Sequence, residues 1–392
     1  MFYCARGLLI DQSHLFLSLF ILIMVNVGIV GVGLVGSELV SQILKSSYKN
    51  VFKVVGLTTS QKMVVSDAQY NSLSIDQESN LRSTVNANGI QTDLGQFAEY
   101  LAKSNEHSVI VDCTASEQVA NLYPTWLRSG LSVVTPNKKA FSSSLDLFKE
   151  IQDLAVNTSQ TKKGRSPLIY HETTVGAGLP VLSTLTDFVR TGDEIVKIEG
   201  IFSGTLSYLF NNFSTLTSTA APKPFSETVR VAKDLGYTEP DPRDDLNGMD
   251  VARKVTICGR LAGLDLDLST LPVENIVPEA LQSIESTDEF MAKLPEYDDH
   301  FSKLNAEALK ENQVLRYVGL VDVQGGQSGV KLAKYPATHP FASLQGSDNI
   351  IKFTTKYFPN GVIIQGAGAG AAVTAYGIFT DLLKIQERVE GF

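Results

Sequence analysis

Cysteine is scarce in this chain. Only Cys4, Cys113 and Cys258 occur in 392 residues, with no Cys-x-x-Cys pair. A scattered, odd-numbered set builds neither a disulfide framework nor a zinc knuckle. Histidine is nearly as sparse, at five residues with no His-x-x-x-His spacing, so a catalytic transition metal is not expected. There is no basic excess either: 33 Lys and Arg against 42 Asp and Glu leave a formal net charge of −9. An acidic surface repels phosphate backbones, which excludes nucleic acid as the expected partner; local basic groups can still hold one small anionic cofactor. Internal repeats and long low-complexity tracts are missing. What remains is an ordinary globular composition, 43% hydrophobic and 19% charged, with enough apolar side chain to bury a core. The length suggests two domains.

One long apolar run breaks this pattern, Leu15 to Val25. It is shorter than the roughly 20 residues that span a bilayer. It also passes without a cleavage site or polar spacer into Asn26-Val27-Gly28-Ile29-Val30, which reads as a strand. Residues 1–23 are therefore read as an uncertain apolar extension. The functional chain is expected to start at Met24, as a cytoplasmic protein without a membrane partner.

From Asn26 onward strand and helix signals alternate. Val27–Val32, Phe52–Leu57, Ser108–Asp112 and Leu131–Val134 read as strands, and Ser37–Leu44 and Gln118–Ser129 as helices. Uninterrupted apolar strands separated by helices imply right-handed crossovers and a buried parallel sheet. The polar stretch Asn157–Ser166 marks the end of this unit. Beyond it, Ile195–Phe202, Gln313–Val323, Val330–Ala333 and Val362–Gln365 are strand-like, pointing to a mixed or antiparallel sheet. A helix over Ala372–Glu390 follows Gly366-Ala-Gly-Ala-Gly370. The expected fold is α/β: a nucleotide-binding domain (24–170 and 366–392) and an α+β domain (171–365), with the C-terminal helix returning to the first.

Gly31-Val32-Gly33-Leu34-Val35-Gly36 stands between a strand and a helix. This is the context of the Rossmann-type dinucleotide fingerprint. Gly31 permits the turn, Gly33 admits the pyrophosphate, Gly36 lets helix and strand pack, and the helix N-terminal amides face the phosphates. The second strand ends in Leu57-Thr58-Thr59-Ser60-Gln61-Lys62 with no acid for a ribose diol. NADP, or both NADP and NAD, is thus favoured over strict NAD, with Lys62 as the cation for a ribose phosphate or as an ordinary loop charge. Thr114 and Ser116 follow a parallel strand and can bond ribose or nicotinamide, or cap the next helix. Lys138, in Thr135-Pro136-Asn137-Lys138-Lys139, points into the same crevice.

The densest chemistry lies between Gly236 and Lys254. Asp250 and Lys254 are four residues apart, on one face of a helix whose Val251, Val255, Ile257 and Leu261 are apolar. Such a pair is either a routine ion pair or a proton-transfer site. Reducing an aldehyde needs a proton on oxygen, which a lysine ammonium supplies, and the reverse oxidation needs the neutral amine. Glu239, Asp244 and Asp245 offer negative charge to a substrate ammonium. Ser203-Gly204-Thr205 offers amides and a hydroxyl to a carboxylate. In His171–Pro180, Glu172 beside a glycine-rich turn can present oxygens to a hard cation, or the turn is a domain hinge.

Taken together, GVGLVGS, TPNKKAFSS, HETTVGAGLP, KIEGIFSGTLSY, LGYTEPDPRDDLNGMDVARK, HPFASLQGSDN and QGAGAGAAVTA resemble the homoserine dehydrogenases, particularly the monofunctional fungal form. The resemblance runs from about Asn26 to the end. It implies reversible NAD(P)H-dependent reduction of L-aspartate 4-semialdehyde to L-homoserine, in threonine and methionine synthesis. It implies Lys254 as the proton-transferring group with Asp250 and Lys138 beside it. Tyr237, Glu239, Thr205, Gly204 and Asp245 would meet substrate, and Gly368 the cofactor. Glu172 with the carbonyls of Val175, Ala177 and Leu179 would hold sodium, and the protein would be a homodimer. No aspartate-kinase half is expected. Two other readings remain: a semialdehyde dehydrogenase using Cys113 as a covalent nucleophile, and a non-catalytic or membrane-tethered NADP-binding protein built on the apolar N-terminus.

Overall fold

The computed structural model describes residues 23–75, 80–156, 166–216 and 223–390. The extension before Ile23 and nearly all of the Asn157–Ser166 stretch lie outside the described residues. No helix among the described residues is long and apolar enough to cross a membrane.

Seven strands form the first sheet: β1 (Val25–Val30), β2 (Phe52–Thr58), β3 (Lys62–Val65), β4 (Ile90–Gln91), β5 (His107–Asp112), β6 (Ser132–Val134) and β7 (Ile169–Tyr170). Their order is β4-β3-β2-β1-β5-β6-β7. β2, β1, β5, β6 and β7 run parallel, while β3 and β4 extend the sheet antiparallel beyond β2. The order reverses at β1, so the crevice opens at the carboxyl ends of β1 and β5. The register places Val30 opposite both Thr58 and Asp112. The next residues, Gly31, Thr59 and Cys113, therefore emerge at one level.

All six residues of β1 are buried, as a central parallel strand requires. One face is covered by helix Leu34–Lys45 and the C-terminal helix Ala371–Glu390, whose Ala375, Ile378, Leu382 and Ile385 join Leu39, Val40, Ile43, Phe52 and Val54 in one apolar cluster. Each large side chain so buried contributes about 2 kcal/mol. That contribution holds the two sequence-distant helices against one sheet.

The second sheet contains β8 (Ile195–Ile201), β9 (Gln313–Asp322), β10 (Gly329–Pro336), β11 (Asp348–Thr355) and β12 (Val362–Ala367), in the order β10-β9-β8-β11-β12. Every neighbouring pair is antiparallel, which resolves the mixed-or-antiparallel expectation. Helices Gly204–Phe213 and Met249–Leu261 pack on this sheet, with Phe202, Leu206, Val251, Val255, Tyr317 and Ile351 in the shared core.

The single helix expected over Gln118–Ser129 is two, Glu117–Ala120 and Tyr123–Arg128. Pro124 cannot donate to the carbonyl four residues back, so the first helix ends and a second starts around it. The run between Gly236 and Gly248, with prolines at 240 and 242, contains a single helical turn, Arg243–Leu246, entered from Pro242. Proline breaks a helix interior but suits its start. Residues 60–104 carried no assignment from sequence. The described residues among them include β3, helix Leu81–Asn88, β4 and helix Leu94–Lys103.

Candidate active site

The fingerprint turn has the geometry its glycines require. Gly31 has φ +93°, and its N–H and that of Val32 donate to Thr58 O, both at 3.0 Å. A Cβ on Gly36 would stand 2.3 Å from Gly31 O, whereas one on Gly33 would meet nothing within 4 Å. The closest packing is thus at Gly36, and the open side is at Gly33. Gly33 heads helix Leu34–Lys45 with no side-chain cap and no acid in the first turn. Its amides are oriented toward any anion in the crevice. Leu34 is 85% exposed there. Val35 instead packs against the core, so it can offer a ligand only its backbone.

A cleft of about 190 Å³ opens above this turn, lined by Gly31, Val32, Gly33, Thr59, Ser60, Arg82 and Cys113. The lining cation is Arg82, from helix Leu81–Asn88, in place of the expected Lys62. Lys62 lies in β3, with its carbonyl accepting from the Thr59 N–H at 2.8 Å. Arg82 escaped the sequence reading because an exposed arginine early in a polar helix carries no local mark of function. The Asn80 cap, which accepts from the Ser83 N–H, was the available signal for that helix. Cys113 also lines the cleft, but burial and the neighbouring Asp112 carboxylate push its thiol well above its ordinary value. A covalent nucleophile needs the opposite shift.

A chain of contacts leads from the turn to the second domain. The Thr114 methyl would lie 2.8 Å from a Cβ on Gly31. The Thr114 N–H donates to Asp112 Oδ1 at 2.8 Å. Asp112 Oδ2 accepts from Tyr123 OH at 2.6 Å and from Asn137 Nδ2 at 2.9 Å. The buried Asp112 thereby fixes the residue before Lys138. Lys138 Nζ in turn lies 3.3 Å from Asp250 Oδ1, and Asp250 Oδ2 lies 2.8 Å from Lys254 Nζ. Arg260, on the same helix as Lys254, donates to the carbonyls of Phe141 at 2.8 Å and Ser143 at 2.9 Å. This ties helix Met249–Leu261 to the segment after Lys138. Of its two expected roles Ser116 takes the capping one here: its hydroxyl accepts from the Val119 N–H and caps helix Glu117–Ala120.

Lys254 is buried, and its amine also donates to Phe202 O at 2.7 Å. Burial lowers its pKa and the Lys138 charge lowers it further; the pull of Asp250 does not restore the ordinary value. Asp250 is half-exposed. Desolvation raises its pKa, but the two ammonium groups outweigh that and hold the carboxyl well below the usual range. The Asp245 carboxyl is raised by burial, against the Glu239 N–H that it accepts at 2.8 Å. Thr205 Oγ1 donates to Tyr237 O at 2.6 Å. Tyr237 is exposed and stacks on Tyr208 with ring centroids 4.4 Å apart. Gly204 opens helix Gly204–Phe213 behind the Ser203 cap, and a Cβ there would come within 3.1 Å of Ser347 O.

The Glu172 carboxylate is engaged within the protein. Oε1 accepts from the Leu182 N–H at 2.6 Å and Oε2 from the Ser183 N–H at 2.9 Å, capping helix Val181–Arg190. Lys384 Nζ lies 3.5 Å from Oε2. The adjoining turn takes φ +76° at Gly176 and +50° at Ala177, a conformation a non-glycine residue adopts only under constraint. No cluster of three or more His, Cys, Asp or Glu that could hold a metal occurs among the described residues. A cation here would rest on carbonyl oxygens. Gly368 packs tightly: a Cβ on it would lie 2.0 Å from Asn349 Nδ2.

Comparison with known proteins covers both sheets. Residues 31–162 match the family model described as homoserine dehydrogenase, NAD binding domain, and residues 180–383 the one described as homoserine dehydrogenase. The chain is 45% identical to homoserine dehydrogenase of Saccharomyces cerevisiae over 93% of this chain and 99% of that one. It is 48% identical to the chloroplastic bifunctional aspartokinase/homoserine dehydrogenase 1 of Arabidopsis thaliana over 97% of this chain, but spans only 40% of that protein. The crystal structure of a Candida auris protein of unknown function superposes with a TM-score of 0.85 at 45% identity, covering 93% of this chain and 99% of that one. A hyperthermophilic archaeal homoserine dehydrogenase in complex with NADPH shares the fold, with a TM-score of 0.66 at 21% identity over 93% and 98% of the two chains.

Proposed function

Because the chain belongs to the homoserine dehydrogenase family, we propose that it interconverts L-aspartate 4-semialdehyde and L-homoserine, with Lys254 as the group that moves the proton. The carrying observation is the continuous path from the Gly31 turn through Thr114, Asp112, Asn137, Lys138 and Asp250 to the Lys254 amine. A bound nicotinamide supplies or accepts the hydride. Gly33, open toward the cleft, and the uncapped amides of helix Leu34–Lys45 suit a pyrophosphate.

In the reducing direction the Lys254 ammonium gives its proton to the aldehyde oxygen as that oxygen gains negative charge. In the oxidising direction the neutral amine takes the hydroxyl proton. Because the Lys254 pKa is lowered, the amine form is reached at a lower pH than for an ordinary lysine. Oxidation therefore rises with pH through that pKa, and reduction is lost through it. Asp250 holds both lysines together. Glu239 and Asp245 give negative charge to the substrate ammonium, while Gly204 and Thr205 at a helix start face its carboxylate.

The experiment is NAD(P)-linked oxidation of L-homoserine by the purified chain, with both cofactors compared. Thr59, Ser60 and Arg82 form a cleft end without an acid, which suits a ribose 2′-phosphate. NADP is therefore the preferred cofactor. Arg82→Ala raises KM for NADP by about tenfold, the equivalent of 1.4 kcal/mol, and leaves KM for NAD nearly unchanged. Absence of turnover with either cofactor contradicts the reading. An equal effect on both cofactors contradicts the part played by Arg82.

Sodium is proposed at Glu172 and the carbonyls of Val175, Ala177 and Leu179. Lys384 already offsets the Glu172 charge, so the neutral donors fit a monovalent ion better than calcium or magnesium. Exchange of sodium for choline lowers the melting temperature as a bound ligand is withdrawn. An unchanged melt contradicts the site. On the same reading the enzyme is a cytoplasmic homodimer.

A further inference from the structure

The Lys254 amine has two fixed acceptors, Asp250 Oδ2 at 2.8 Å and Phe202 O at 2.7 Å. An ammonium carries three N–H groups on a tetrahedral nitrogen. Two fixed bonds leave one direction, which holds the third N–H when the group is charged and the lone pair when it is neutral. Proton transfer in either direction uses that vector. One acceptor, Asp250, is a half-exposed side chain. The other is backbone, so the stricter aim comes from the Phe202 carbonyl.

That carbonyl is shared. Asn349 Nδ2 donates to it at 3.1 Å. Asn349 is fully buried in β11, where it pairs with Gly366 of β12. Its amide presses on Gly368, whose missing Cβ would lie 2.0 Å from Nδ2, 2.2 Å from Cγ and 2.8 Å from Oδ1. The amide is thus gripped between the Gly368 backbone and Phe202 O. Turned over, it would set Oδ1 against the carbonyl oxygen, two acceptors facing each other, so the donating orientation follows from the network.

We propose that Asn349 is a positioning residue for hydride transfer, fixing the Phe202 carbonyl on which the Lys254 amine is aimed. It couples the Gly366–Gly370 turn and β11 to the proton-transfer vector without touching substrate. Charged groups that act on the amine are Asp250, Lys138 and Asp245. Asn349 adds no charge, so its influence is on direction and on how much of the carbonyl is left for the lysine. The inference rests on Lys254 as the proton-transfer group, which Lys254→Ala tests separately. Turnover preserved in Lys254→Ala removes the parent reading. An inactive Lys254→Ala beside an unaffected Asn349 variant removes this one alone.

The test uses the full chain with Asn349→Leu, of similar shape but without a donor, and Asn349→Ser, in case leucine overfills the site. Homoserine oxidation is followed across neutral and alkaline pH, with NADPH affinity from fluorescence and thermal melting measured alongside. The expected result is kcat lowered by about tenfold or more, as a misaimed group costs, with NADPH affinity kept. The alkaline limb should also move to higher pH, because Phe202 O then serves the ammonium alone. A purely packing role lowers the melting temperature and leaves the limb in place, and that result overturns the proposal. So does failure of both variants to fold, which would make Asn349 a folding residue.

Discussion

Lys254→Ala is expected to lower kcat for homoserine oxidation by about a thousandfold, the scale of a lost general acid–base group, while NADPH affinity stays within a few-fold. The two effects separate because the Lys254 amine is bonded to Asp250 and Phe202 O, on the far side of the contact path from the Gly31 turn. The substitution also removes an uncompensated cost. Lys254 is buried and its pKa is depressed, first by desolvation and then by Lys138. Truncation relieves the repulsion between the two lysines and leaves Asp250 paired with Lys138 at 3.3 Å. The variant should fold. Its residual oxidation should also lose the pH limb assigned to the amine. A limb that survives in Lys254→Ala would belong to another group, and turnover near the parent level would remove the lysine from the mechanism.

The second large effect distinguishes two glycines three residues apart. Gly36→Ala sets a Cβ 2.3 Å from Gly31 O, and both sides of that contact are backbone. Strand and helix must separate, at a cost of about 1–3 kcal/mol, so the melting temperature falls and NADPH binding is lost with it. Gly33→Ala meets nothing within 4 Å, and its φ of −84° suits alanine. Its melt should stay close to the parent. Its NADPH dissociation constant should nevertheless rise by at least about tenfold, because the added methyl occupies the side of the turn that a pyrophosphate approaches. Fluorescence titration and thermal melting on the two variants check both halves. Unimpaired NADPH binding by Gly33→Ala would place the cofactor elsewhere.

What could be read from sequence follows the range of the interactions. The fingerprint was legible because each glycine answers a local backbone demand. The Asp250–Lys254 pair was legible because four residues along a helix return to the same face, and the 2.8 Å ion pair lies there. Partners joined across the chain were not. Lys138 meets Asp250 over 112 positions, and only the folded Asp112–Asn137 bond and the Arg260 clamp explain how. Glu172 looked like a cation ligand because a carboxylate beside glycines suggests one. Its carboxylate also accepts from amides ten and eleven residues later, a spacing no local capping pattern covers. Ser116 resolved toward helix capping for a local reason, the Val119 N–H three residues on. Gly368 and Asn349 lie 19 positions apart on adjoining strands and a turn, and neither residue alone marks the tight contact between them.

The most direct test is a crystal structure of the chain with oxidised nicotinamide cofactor and L-homoserine bound together. The expected result has the hydroxyl oxygen within about 3 Å of Lys254 Nζ, in the direction left open by Asp250 and Phe202 O. The reacting carbon should lie about 3–3.5 Å from the nicotinamide ring on the other side. A hydroxyl bonded to a different side chain, with Lys254 Nζ out of reach, would contradict the account.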